Sequence, residues 1–124
     1  MAVIELNKDN FEQTVTDNDF VIVDFWAPWC GPCQGFAPVY EKVSEQHEDI
    51  VFAKVNTEDQ QELAGYFQIR SIPTLMVFRE KVIVFSQPGA LPESSFVEVI
   101  GKVAELDMEK VHSEIAEQQA SNEA

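Results

Sequence analysis

The sequence predicts an α/β domain with a mixed central β-sheet of four to five strands flanked by helices, plus a C-terminal helical extension. Three observations predict it. "FVIVDFWA" (20–27) is a nearly unbroken apolar, β-branched and aromatic run, the pattern of a strand covered on both faces. From Gly31 to about His47 the spacing turns helical, with Phe36, Val39, Tyr40 and Val43 recurring at three and four residues, and a second buried-strand pattern, "IVFAKVN" (50–56), follows. Strand, helix, strand implies a right-handed crossover and a parallel pair. Finally, "TLMVF" (74–78) and "VIVFS" (82–86) are only a few residues apart, so they pair as an antiparallel hairpin and make the sheet mixed.

The remaining elements follow in order. "VIEL" (3–6) is a short strand, and "NKDNFEQTV" (7–15) a short helix that Asn7 or Asp9 can cap. "EDQQELAGYFQI" (58–69) reads as a short helix running into a loop. The hairpin turn "REK" (79–81) lacks the usual Gly or Asn, which leaves its type open. "LPESSFVEVIGKVAEL" (91–106) is a closing helix with Phe96, Val99, Ile100 and Val103 on one face. These elements complete a domain over residues 1–106. Residues 107–124 form an acidic extension in which Val111 and Ile115 stand four apart, expected to be a helix of about three turns with a frayed end and to be solvated rather than a dedicated binding element.

Bulk composition narrows the function. The chain has 124 residues, 45% of them hydrophobic, including nine Phe, which suits one domain with a real core. Eight basic against 22 acidic residues leave a net charge of −14, which disfavours nucleic acid and anionic membrane surfaces. The N-terminal stretch lacks the basic and apolar regions of a signal peptide, and the apolar runs are far short of a membrane span. The expected address is the cytoplasm, where a reactive cysteine pair is favoured over a structural disulfide.

The chain's two cysteines stand in "WAPWCGPC" (26–33), separated by Gly31-Pro32. As a staple the pair is poor, because the loop it closes is nearly the shortest available. Structural zinc wants four ligands, and nothing in the sequence brings His47 or His112, the only histidines, to this pair. Both read as surface or packing residues. A redox pair fits the local physics. Cys30 precedes a helix whose unpaired N–H groups and dipole stabilise a thiolate. Cys33 lies one turn on along the same face. Pro32 needs no backbone donor in a first turn, and Gly31 leaves the approach to Cys30 open. Cys30 is therefore expected to be exposed and Cys33 shielded.

"WCGPC" following "VIVDFWAP", with "SIPT" at 71–74 and "PGAL" at 88–91, resembles the thioredoxin family from about residue 3 to residue 106. The resemblance implies a thioredoxin fold and a protein-disulfide reductase in which Cys30 attacks a substrate disulfide and Cys33 resolves the mixed disulfide. Asp24 matches the family's buried acid. Strand alternation independently groups it with Ile22 and Trp26 on one face, with Val21, Val23 and Phe25 on the other, and desolvation there raises a carboxyl pKa. Lys54 matches the lysine near that acid, and Pro73 after Ile72 matches a cis-proline opposite the cysteines. Trp29, Gly31, Pro32, Ile72, Pro73, Gly89 and Ala90 are the implied substrate-binding set, most of them lining a shallow apolar groove around Cys30. Pro38 would kink the long helix, and Trp26 would pack against the active-site loop.

The resemblance further implies no bound cofactor and no metal, reducing equivalents from NADPH through a thioredoxin reductase, disulfide-containing proteins as substrates, a monomer, and a part in electron transport and cell redox homeostasis. Gln34 stands where the family often has a basic residue, Gly35 weakens the helix by roughly 1 kcal/mol relative to Ala, and Pro88 precedes Gly89 where a β-branched residue is common. The competing reading is a thioredoxin-fold chaperone or protein-binding module whose redox pair is secondary. The intact cysteines, acid and proline loop favour the reductase.

Overall fold

The computed structural model describes the backbone of residues 3–123 and the side chains of residues 3–120. Among these residues, five strands and five helices follow one another as β1 (Val3–Glu5), α1 (Phe11–Asp17), β2 (Phe20–Trp26), α2 (Gly31–Glu45), β3 (Val51–Asn56), α3 (Gln61–Tyr66), β4 (Thr74–Arg79), β5 (Val82–Pro88), α4 (Glu93–Ala104) and α5 (Met108–Glu123). The sheet has the order β1-β3-β2-β4-β5. β1 and β2 run parallel to β3, while β4 runs antiparallel to both β2 and β5. The mixed sheet and the parallel β2–α2–β3 crossover are those the patterns predict.

Alternation along β2 divides the core in two. Ile22 joins Phe36, Tyr40, Val43, Phe52, Leu75, Phe96 and Ile100, which fill the space between one sheet face and helices α2 and α4. Val21, Val23 and Phe25 join Phe11, Val15, Val55, Met76 and Phe78 on the other, under α1 and α3. Burial on both faces is what gives β2 its unbroken apolar run. It is also what makes Asp24, on the Ile22 face, an exception that needs a reason.

Several boundaries differ from the sequence reading. The first helix begins at Phe11, not near residue 7, because the Asn7 carboxamide oxygen accepts the N–H groups of Asp9 and Asn10 and holds a separate turn before it. The third helix spans Gln61–Tyr66 rather than 58–69. Asn56 Oδ1 accepts the N–H of Glu58 and keeps the entry as a turn, and Gln68 ends it with a φ of 56°. In the hairpin turn Glu80 and Lys81 both take positive φ, 49° and 71°, the signature of a type I′ turn built without Gly or Asn.

The C-terminal helix α5 has 16 residues, longer than three turns. It is not simply solvated: Met108 is only 5% exposed, and His112 Nε2 lies 3.0 Å from Glu80 Oε1 in the hairpin turn. The expected fraying concerns residues 121–124; the backbone stays helical through Glu123, and Ala124 lies outside the described residues.

Candidate active site at the head of α2

The cysteine pair sits where β2 ends and α2 begins. Cys30 is the residue that caps α2, with extended backbone angles, and its Sγ accepts the backbone N–H of Cys33 at 3.2 Å. The two cysteines form a disulfide with Cα atoms 5.2 Å apart. A helix N-terminus presents unpaired N–H groups to that sulfur, the geometry that stabilises a thiolate when the bond is reduced. Pro32 occupies the first turn, and no atom approaches the space above Gly31.

Cys30 does not have the exposure expected of it. It is 4% exposed and Cys33 3%. In the disulfide form Cys30 packs with Ala27 and Cys33 against Trp26 and Ile72, and its Sγ lies 3.7 Å from the carbonyl oxygen of Ile72. Part of that cover comes from the segment before β4, 42 positions away in sequence, which no local pattern reveals.

That segment contains the cis peptide Ile72-Pro73. The Pro73 carbonyl accepts the N–H of Gly89 at 2.7 Å, and Gly89 has a φ of +103°, where a side chain would be strained. The sheet thus brings 72–73 and 89–90 to the cysteine end. Ala90 is exposed, and Trp29 is 67% exposed beside Cys30 in the chain, an unusual position for so large an apolar ring. The Gln34 side chain donates from Nε2 to the Pro28 carbonyl at 2.8 Å, tying the first turn of α2 to the preceding loop. The sequence alone shows only the charge that Gln34 lacks.

Behind the disulfide, Asp24 is 5% exposed and its Oδ1 has no hydrogen-bond partner. Burial pushes its carboxyl pKa from 3.8 up to about 7, against a smaller opposing pull from the Lys54 ammonium. Asp24 and Lys54 are register partners on β2 and β3. A cavity of about 100 Å³ touches Asp24, Trp26, Cys33, Tyr40, Glu41 and Lys54, so acid and inner cysteine line one shared cavity. Among the described residues no cluster of His, Cys, Asp and Glu could hold a metal ion.

The Tyr40 hydroxyl is a polar feature that the sequence reading misses. It reaches the carbonyls of Ile22, at 2.9 Å, and Ala53, at 2.6 Å, pinning α2 to β2 and β3 beside the acid. Burial, and then the Asp24 charge, push its phenol pKa upward. A signal for it exists in the chain: a buried Tyr needs a partner for its O–H, and Tyr40 stands in the apolar row of α2.

Comparison with known proteins agrees with this geometry. The family model described as Thioredoxin matches residues 2–102. A protein named putative thioredoxin 2 from Streptomyces coelicolor is 60% identical over 119 residues, covering 96% of this chain and 89% of that one. A thioredoxin of Porphyra purpurea is 42% identical, over 82% of this chain and 97% of its own. Among solved structures, a mutant thioredoxin from Halobacterium salinarum superposes with a TM-score of 0.78 at 33% identity, covering 84% of this chain and 92% of its own. Family match, shared fold and a bonded cysteine pair at a helix head lead to one conclusion: the chain belongs to the thioredoxin family and is a dithiol–disulfide oxidoreductase that reduces protein disulfides.

Proposed function

We propose the following division of labour within that reaction. The Cys30 thiolate attacks one sulfur of a substrate disulfide, forming a mixed disulfide and expelling the other substrate sulfur as a thiolate, which takes a proton from solvent. Cys33 gives its proton to the Asp24 carboxylate, directly or through water in the shared cavity, and its thiolate attacks the Cys30 sulfur. The Cys30–Cys33 disulfide forms, the second substrate sulfur leaves as a thiolate that takes a proton from solvent, and Asp24 later returns its proton to solvent. Two electrons pass from the dithiol to the substrate. A general base works best when its pKa lies near the working pH, and a value of about 7 puts Asp24 there.

Trp29, Gly31, Pro32, Ile72, Pro73, Gly89 and Ala90 form the docking surface for an extended substrate segment in this reading. No bound cofactor takes part. The dithiol is regenerated by NADPH through a thioredoxin reductase, and the protein acts as a cytoplasmic monomer in electron transport and redox homeostasis. One domain over 1–106 carries the chemistry, with 107–124 as an accessory extension. The observation that carries the assignment of roles is the placement of Cys30 at the cap of α2 and Cys33 in its first turn, beside the cavity that holds Asp24.

Insulin reduction tests it. With dithiothreitol, or with NADPH and a thioredoxin reductase, the protein should accelerate precipitation of insulin chains, and Cys30→Ser should abolish the acceleration. A Cys30→Ser variant as fast as the parent would show that the cysteines are secondary to binding.

A further inference from the structure

Among the described residues, Lys54 is the one cation that lines the cavity with Asp24 and Cys33, yet it makes no ion pair with Asp24. Its ammonium instead lies over the Trp26 ring, 5.0 Å from the centroid. Register explains why both destinations are in reach. Asp24 and Lys54 face each other on adjacent parallel strands, and Trp26 follows two residues on, on the same face of β2. Asp24 Oδ1 is buried with no partner. The other cavity groups that titrate are not competitors for the lysine's position near the acid. Tyr40 has its hydroxyl at the carbonyls of Ile22 and Ala53, Cys33 is in the disulfide, and Glu41, which also touches the cavity, makes no ion pair with Lys54 among the described residues.

We propose that Trp26 is the resting seat of the Lys54 ammonium, and that the lysine crosses to Asp24 whenever that carboxyl is ionised and returns to the ring when it is protonated. Trp26 is then a positioning residue that acts through Lys54. This rests on the reading of Asp24 as the acceptor of the Cys33 proton. An aromatic face attracts a cation through its quadrupole. A neutral carboxyl offers nothing better, but a buried full charge attracts more strongly than the ring. The burial that holds the Asp24 pKa near 7 keeps both states populated around neutrality. During resolution Asp24 begins ionised with Lys54 beside it, takes the Cys33 proton, and releases the lysine to Trp26 as it loses its charge. Release of the cation then favours retention of the proton while Cys33 attacks.

The test is a pH series by NMR on the oxidised wild-type protein, following the Lys54 ε-methylene. Held over an indole face, it should show an upfield ring-current shift at pH 5 that disappears by pH 9, with the midpoint of the Asp24 carboxyl itself. In Asp24→Asn the upfield position should persist across the whole range. Lys54 signals that stay constant while Asp24 titrates would overturn the proposal, as would a shift that still moves in Asp24→Asn. A second readout is kinetic. Trp26→Leu removes the seat and leaves the ionised state of Asp24 relatively favoured, so the pH–rate profile of resolution should move to lower pH by about half a unit. An unmoved or alkaline-shifted profile in a folded Trp26→Leu protein would also overturn it. Single-turnover resolution in Asp24→Asn separates the two levels: an unchanged rate, with wild-type Lys54 signals that still track Asp24, would sink the reading of Asp24 as acceptor of the Cys33 proton while supporting the two seats.

Discussion

Asp24 takes its properties from its surroundings. Its carboxyl is buried in apolar company, and desolvation outweighs the attraction of Lys54, raising its pKa from 3.8 to about 7. An acid whose folded pKa exceeds its unfolded one binds its proton more tightly when folded. Its stabilising contribution is complete below the unfolded pKa and is lost as pH rises through the folded value. Between those limits the protein should lose roughly 4 kcal/mol at this site. Asp24→Ala should therefore raise the denaturant midpoint of the oxidised protein at pH 8 and flatten its pH dependence between pH 4 and 8. A lower midpoint at pH 8 would show that Asp24 is a well-paired structural acid. Asp24→Asn should slow resolution by up to about 10²–10⁴-fold while leaving alkylation of reduced Cys30 intact. Cys33→Ser separates the two sulfurs in the same way: mixed disulfides should accumulate on Cys30 and vanish with reductant, and accumulation of none would place the attacking thiol elsewhere. Tyr40→Phe removes the donor that faces Ile22 and Ala53. It should lower stability by about 1–2 kcal/mol, since buried carbonyls lose a partner; an unchanged unfolding midpoint would show that the hydroxyl contributes nothing net.

At the scale of elements, α2 does two jobs that pull in different directions. Its first turn must present N–H groups to sulfur, so it starts with Gly31-Pro32 at the surface. Its later turns must hold to the sheet, through Phe36, Tyr40 and Val43 in the core. Pro38 removes a backbone donor in the middle, yet the helix runs unbroken from Gly31 to Glu45, because the apolar row on either side is packed. The hairpin turn is under tension of another kind. Glu80 and Lys81 both sit at positive φ, which is costly for a residue with a Cβ. Lys81→Gly relieves one of them and leaves intact the Glu80 N–H donated to Asp19 and the Glu80 contact with His112. It should raise stability by about 0.5–1 kcal/mol. Thermal melts compared with the parent would decide, a lower midpoint counting against the strain. Arg79, at the end of β4, donates to the Val103 carbonyl at 2.7 Å and lies over the Phe20 ring, so the same strand end also closes the C-terminus of α4.

Across the whole molecule, the terminal helix tests where the domain stops. Truncation after Glu109 removes the His112–Glu80 contact, an exposed pair of small worth, and should change stability by less than about 1 kcal/mol. Truncation after Leu106 also removes Met108, and loss of a buried Met side chain should bring the total to roughly 2–3 kcal/mol. Both truncations should reduce insulin within about twofold of the parent, under about 0.5 kcal/mol of barrier. A large loss of activity in the shorter chain would mean that α5 supports the site. Much of this molecule is legible in its sequence, for a physical reason. Alternation along β2 assigns Ile22, Asp24 and Trp26 to one face, the spacing in α2 selects Phe36, Tyr40 and Val43, and "WCGPC" sets two sulfurs one turn apart at a helix head; all of these are properties of neighbours in the chain. What tertiary structure alone decided involves residues far apart. Part of the cover over Cys30 comes from Ile72, the docking of α5 from the burial of Met108 with His112 beside Glu80, and the seat of Lys54 from a ring on the neighbouring strand. Those outcomes depend on which surfaces meet after the chain has folded back on itself, and chain spacing carries no record of that.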